Sequence, residues 1–454
     1  MKKESFLNVS LAFLVCVFGL ATREIPVYAE NHNGDGKILA GYFEEWSIYY
    51  ANYNLANLES NGSAAKLSHL IYAFGNVSAS ASDPSSDSCV IADPWADFED
   101  NNLPPVGGLP DAWPLFGNFA EILKLKQLHP GLKTVISLGG ASASATQAFS
   151  TAASTQAGRQ ALVASCINMF VVGNVGSDWN GNITAPGLFD GINIDWEFPS
   201  AADKQNFTLL LQEFRNQLNA LSAQMGKQYN LSFDGPAGSQ NYTNIDLKNA
   251  AHAVDFITVN GYDYAGTWES TTNHASPLFD SRQDPTFGQG LDTDDTLSAY
   301  LKAGVPPRKF LLGVPLYGRG WTGVPNIQHG LYQNSTAASP VLLANGTGQC
   351  TDLSGNTPGC DTLLTPGVIT YATLATLTSN GYKSYFDPQR IAAWLYNPTT
   401  QTFYTYDNPD TAFLKTLYVD FRVPGGLGGA FVWAVKDDDS SGTMVKTLAI
   451  GLGR

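Results

Sequence analysis

Residues 189–200 read FDGINIDWEFPS. Asn193, Asp195 and Glu197 fall at every second position, and Ile192, Ile194 and Trp196 fill the positions between them. Alternate residues of a strand share a face. One face therefore carries an amide and two carboxyl groups, and the other is apolar. Neighbours on one face are about 6.6 Å apart along the strand, close enough for leaning side chains to hydrogen-bond. Glu197, just before Pro199, stands at the carboxyl end of the strand, with Asp195 one layer deeper and Asn193 deeper again. A carboxyl group half-buried beside another resists ionisation. A proton donor working near neutral pH needs that property. The spacing predicts a general acid at Glu197 whose proton is shared with Asp195. The competing reading is a buried structural polar network; three polar residues in register at one strand end favour chemistry.

Such a strand must sit in something that buries its other face. Eight apolar runs can supply the frame: 37–43, 67–75, 132–140, 187–198, 229–235, 254–264, 309–318 and 427–433. Most are rich in β-branched and aromatic residues and end in Gly, Pro or polar residues. Helical patterns separate several of them. In the clearest, Phe207, Leu210, Leu211, Phe214, Leu218 and Leu221 follow helical spacing behind a Ser200/Asp203 capping box. Strands buried on both faces and alternating with helices predict an α/β fold, a closed (β/α)8 TIM barrel, with its active site at the carboxyl ends of the strands.

The stretch between the seventh and eighth runs is too long for one crossover. Residues 322–390 are expected to form a small α+β insertion domain, dividing the barrel into 30–321 and 391–454. The loop from Asn76 to Trp113 is also long and is expected to shape the cleft. At the amino end, Lys2 and Lys3 precede an apolar run from Phe6 to Ala21, and Val27-Tyr28-Ala29 forms a small-x-small site. This predicts a secretory signal peptide over 1–29, cleaved after Ala29. An uncleaved anchor is the alternative, although the run falls short of the roughly 20 residues that span a bilayer.

The chain carries a net charge of −15. That disfavours nucleic acid and anionic membranes, which need a basic footprint. Export permits disulfides. Cys350 and Cys360 flank a Gly/Pro/Asn-rich loop and form a plausible staple, which leaves Cys89 and Cys166 as a pair by elimination. The scattered His residues show no metal-ligand spacing. No metal and no cofactor are expected. Asp292, Asp294 and Asp295, like Asp437–Asp439, are read as solvated loop charge rather than Ca2+ ligands. No Gly-x-Ser-x-Gly elbow supports a serine hydrolase.

DGINIDWEFP resembles the Asp-Gly-x-Asp-x-Asp-x-Glu signature of glycoside hydrolase family 18, the chitinase family. Other stretches match the family in order: GYFEEW (41–46), SLGG (137–140), GYDYAGTWES (261–270), YGRGW (317–321) and GGAFVW (428–433). The insertion resembles that of the family's deep-cleft subfamily A. The resemblance implies a secreted, monomeric enzyme that hydrolyses chitin or N-acetylglucosamine oligosaccharides with retention of configuration, assisted by the substrate. The spacing of the carboxylates then carries no information about stereochemistry. In that scheme Glu197 is the general acid and base. Asp195 orients the acetamido N–H, and Tyr262 holds the acetamido oxygen. Trp433 floors the subsite where the sugar distorts. Tyr42, Asp263 and Arg319 line that subsite, and Phe74 and Asn260 join them in substrate binding. Trp46, Trp95, Trp268 and Trp321 are candidate stacking platforms.

Three positions depart from the family pattern. The first Asp of the triplet is Asn193, which can donate a hydrogen bond to Asp195 and make it ionise more readily. The Met two residues before the sixth-strand Tyr is Asn260. The Trp that often follows Ser-x-Gly-Gly is Ala141, so an aromatic platform on the leaving-group side is missing. Two rival readings share the fold. One is a non-catalytic chitin-binding lectin, which would bind without cleaving although Glu197 is present. The other is an endo-β-N-acetylglucosaminidase acting on N-glycans, against which the insertion argues.

Overall fold

The structure is a computed structural model that describes residues 36–49, 51–178, 181–342 and 366–454. The expected leader and the Cys350/Cys360 pair lie outside the described residues. The eight barrel strands are β1 (Ile38–Glu44), β2 (His69–Ser78), β3 (Lys133–Gly140), β4 (Gly191–Trp196), β5 (Asn230–Gly235), β6 (Phe256–Val259), β7 (Phe310–Pro315) and β8 (Gly429–Trp433). Six fall within their predicted runs, while β1 runs one residue past its run and β2 three residues past. All pair in parallel with their sequence neighbours, and β8 and β2 both flank β1, which closes the barrel.

Period-2 alternation builds two apolar layers. Leu39, Phe43, Leu70, Tyr72, Ile136, Leu231 and Phe233 point outward into the layer shared with the helices. Ala40, Tyr42, Ile71, Val135, Phe256, Leu311 and Phe431 fill the barrel interior. On β4 the outward set is Ile192, Ile194 and Trp196, all buried. Each such side chain contributes about 1.5–3 kcal/mol on burial. A one-residue slip would turn all three into the barrel and turn Asn193 and Asp195 into the apolar layer. The oily face of β4 therefore fixes where its polar face points.

The helix after β4 spans Lys204–Met225 and buries Phe207, Leu210, Leu211, Phe214 and Leu218, as the periodicity predicts. Its start differs from the predicted box. Ser200 Oγ donates to Asp203 Oδ2 at 2.6 Å and the Ser200 N–H donates to the same oxygen at 3.1 Å. Only the return half of the box forms, because residues 201–203 are a turn ahead of the helix.

Between β7 and β8 lies a six-stranded sheet. Its strands include Tyr317–Thr322, Lys383–Asp387, Ala392–Asn397 and Thr402–Tyr406. Residues on both sides of the 322–390 stretch thus join this sheet, because its central strands must pair with one another to satisfy their backbones. Cys89 and Cys166 form a disulfide. No helix among the described residues is long and apolar enough to cross a membrane.

Candidate active site

Beside Glu197, at the carboxyl end of β4, lies a cavity of about 530 Å³. Asp195, Glu197, Asn260, Tyr262, Asp263, Trp268 and Trp433 line it, and so does Ala141. The approach of β3 to β4 requires glycine at the end of SLGG. Gly139 has φ +114°, and a Cβ there would strike the Asp195 carbonyl oxygen. Thr146 Oγ1 donates to the Glu197 carbonyl at 2.6 Å and anchors the rim residue from the far side.

Asn193 is fully buried. Its Oδ1 accepts from Ser137 Oγ at 2.8 Å and from Tyr42 Oη at 3.4 Å, and its Nδ2 donates to Ser232 Oγ at 2.9 Å. The expected donation to Asp195 is therefore replaced by one to β5, whose hydroxyl lies level with the amide. The expected easing of Asp195's ionisation fails with it. Burial, then the charges of Asp234 and Glu197, hold the Asp195 carboxyl well above the usual carboxylate range. Among the described residues its Oδ1 has no hydrogen-bond partner. Glu197 is also raised, by burial first. Its hydrogen bond with Asp195 pulls it down and the charge of Asp263 pushes it up. A hydrogen bond joins the two carboxyl groups, so the pair holds a shared proton.

Aromatic side chains form a wall. Trp433 packs at 5.1 Å from Tyr42 and 5.9 Å from Phe74, and Phe74 packs at 5.8 Å from Trp46. Of these four, only Trp433 faces the cavity. Tyr42 is buried beneath it and bonds Thr258 Oγ1 at 3.1 Å. Trp268, also a lining residue, is 59% exposed. Arg319 lies behind it, its guanidinium 5.3 Å from the Trp268 ring centroid, and grips Asp263 through two bonds of 2.8 and 2.6 Å. Tyr317, from the first strand of the inserted sheet, completes this wall. A second cavity of about 410 Å³ shares Trp268 and Glu269 with the first.

Some expected residues lie elsewhere. Trp321 is buried against Phe403 in the core of the inserted sheet, and its Nε1 donates to the Glu269 carbonyl at 2.9 Å. It is a packing residue, not a platform. Trp95 is 47% exposed and does not line the cavity. The 76–113 loop supplies none of the lining residues. It is held instead against the 156–166 helix by the Cys89–Cys166 bond. Asp292 and Asp294 are engaged in the fold. Asp292 caps the Thr293–Ala303 helix, and Asp294 binds Arg422 and Tyr418.

Asp234 escaped the sequence reading. It is buried on β5, lines the cavity, and places a carboxylate oxygen within 4.8 Å of those of Asp195 and Glu197. The signal was present in YNLSFDG, where Ser232 and Asp234 alternate with Leu231 and Phe233 just as Asn193 and Asp195 alternate with isoleucines.

Residues 38–438 match the profile described as "Glycosyl hydrolases family 18". The chain is similar to Chitinase A1 of Niallia circulans, 31% identical, with 95% of this chain covered and only 60% of that protein. It is also similar to Chitinase 1 of Aphanocladium album, 29% identical, covering 99% of this chain and 94% of the relative. Its fold superposes on the catalytic domain of the psychrophilic chitinase B from Arthrobacter TAD20 with a TM-score of 0.78. The two are 30% identical, with 92% of this chain and 95% of the other covered. A barrel with two carboxyl groups at the end of β4, matched over that length, belongs to glycosyl hydrolases family 18.

Proposed function

We propose that this chain is an exported chitinase that cleaves β-1,4 bonds between N-acetylglucosamine units, with the substrate's own acetamido group as nucleophile. The observation that carries the reading is Asp195 Oδ1, an unpartnered buried acceptor beside Glu197, with which Asp195 shares a proton, in an aromatic-walled cavity. A buried acceptor without a donor costs about 1–3 kcal/mol. An acetamido N–H supplies that donor. The relatives, named as chitinases, support the same substrate class, and the basic, apolar leader with its small-x-small site supports export.

Substrate binding completes the proton arrangement. Asp195 turns its carboxylate to the acetamido N–H, and the shared proton passes to Glu197. Glu197 then gives that proton to the glycosidic oxygen as the C1–O bond breaks. The acetamido carbonyl oxygen closes on C1 from the opposite face and forms an oxazolinium ring. Asp195 stabilises its positive charge, and Tyr262, a phenol that burial keeps neutral, turns its O–H from Asn260 Oδ1 to the acetamido oxygen. The Glu197 carboxylate next takes a proton from water, whose oxygen attacks C1 and reopens the ring. Two inversions give net retention. Trp433 floors the reacting sugar and Trp268 the sugar beyond it.

The test is hydrolysis of a chitin hexamer with NMR detection of the first anomer. The β-anomer is expected first, with no cleavage by Glu197→Gln and none of cellohexaose, which lacks the acetamido group. Release of the α-anomer first, or equal cleavage of cellohexaose, overturns the mechanism. Binding without cleavage by the wild-type protein favours the lectin reading.

A further inference from the structure

We infer that Asp234 is the second buried carboxylate of this site, supplied from β5 in place of the acid that the family signature carries at position 193 on β4, and that it acts as a positioning residue that keeps a proton on the Asp195–Glu197 pair. The inference rests on the proposed hydrolytic reading and deepens it.

Asn193 cannot do this work. Its amide is neutral, and both ends are engaged by Ser137, Tyr42 and Ser232. Asp234 can. Its Oδ2 accepts from Asn260 Nδ2 at 2.7 Å, and its Oδ1 at 3.3 Å shares the Thr258 hydroxyl with the Phe233 carbonyl at 3.2 Å. Asn260 in turn accepts from Tyr262 Oη at 2.8 Å through its Oδ1. A methionine at 260 could make neither bond. The departures at 193 and 260 therefore belong to one rearrangement: the acid leaves β4, appears on β5, and gains an amide that ties it to Tyr262.

Charge decides which of the three carboxyl groups ionises. Asp195, Glu197 and Asp234 crowd within 4.8 Å. The other titratable groups facing Asp234 are the phenols of Tyr42, Tyr262 and Tyr300. Asp263 bears on Glu197 from the loop after β6 and is paired with Arg319. Three anions so close and so buried cannot coexist. Burial and the Glu197 charge raise Asp234, but the hydrogen bond from Asn260, and the shared one from Thr258, favour its anion. Asp195 has no comparable pair of donors. Asp234 is thus the anion, and the remaining proton stays with Asp195 and Glu197, where the chemistry needs it.

The sign of the pH effect follows. An anion at 234 raises the pH at which the pair loses its last proton, and so sets the alkaline limb of kcat. Wild-type enzyme and Glu197→Gln are assayed first on chitin hexamer; an inactive wild type sinks the hydrolytic reading before Asp234 is examined. Asp234→Asn is then expected to lower kcat about tenfold or more, to change KM less than about threefold, and to move the alkaline limb down by roughly one pH unit. Asn193→Asp/Asp234→Asn returns a carboxyl to β4 and is expected to recover activity and move the limb back up. Asp234→Ser, which keeps a hydrogen-bonding group, serves if Asp234→Asn does not fold. Wild-type kcat and limb in the Asp234 variant, loss of kcat without a limb shift, or a double variant no better than the single one would each overturn the assignment.

Discussion

Arg319 and Asp263 form a two-pronged pair, with bonds of 2.8 and 2.6 Å, at the wall of the cavity. The pair does two things. It braces Trp268 from behind, and it offsets a carboxylate whose charge raises Glu197. Removing either partner should therefore move the pH profile in opposite directions. Arg319→Ala leaves Asp263 uncompensated, so the alkaline limb of kcat/KM is expected to rise. Asp263→Asn removes the charge, so the limb is expected to fall. KM should increase in both, because Trp268 loses its support. Rate profiles over pH 4–9 on chitin hexamer check this; shifts of the same sign would refute it.

The two tryptophans that line the cavity should separate by role. Trp268 is exposed at the rim and Trp433 lies against Tyr42 and Phe74 by the carboxyl groups. A stacked aromatic contact is worth about 0.5–1.5 kcal/mol beyond burial. Trp268→Ala is expected to raise KM roughly 2- to 10-fold with kcat little changed. Trp433→Ala is expected to lower kcat as well, since it touches the sugar that must distort. Steady-state kinetics on tetramer and hexamer separate the two effects.

The acidic cluster should cost stability as pH rises. Asp195, Glu197 and Asp234 all bind their protons more tightly folded than unfolded. Stability from this source is present below the unfolded carboxylate range, near pH 4. It is lost as pH climbs through the raised folded values. Asp195→Asn removes one titrating group, so it should raise Tm at pH 8 while changing it little at pH 4. Thermal unfolding at the two pH values decides; an equal change at both would contradict the linkage.

The Cys89–Cys166 bond closes a loop of sequence separation 77, and neither cysteine lines the cavity. A bond of that span is worth about 2–4 kcal/mol, mainly through the unfolded chain. Cys89→Ala/Cys166→Ala should lower Tm by roughly 2–5 °C for a domain of this size, with kcat at 25 °C unchanged. Calorimetry and an activity assay measure both.

What the residues alone determined is what depends on local pattern. Alternation in β4 set Ile192, Ile194 and Trp196 against Asn193, Asp195 and Glu197, because a strand has only two faces. The eight apolar runs set the barrel, since strands oily on both sides must be covered on both sides. What only the tertiary structure decided lies between elements. Asn193 could have donated along its own strand to Asp195, but the inter-strand register placed Ser232 nearer its amide. Trp321 matched a family motif, yet the pairing of the inserted strands buried it. Asp234 sits far along the chain from Glu197 and meets it only because β4 and β5 lie side by side around a closed barrel. Spacing along one strand is encoded within it. Contact across strands depends on register and closure, which the whole chain settles together.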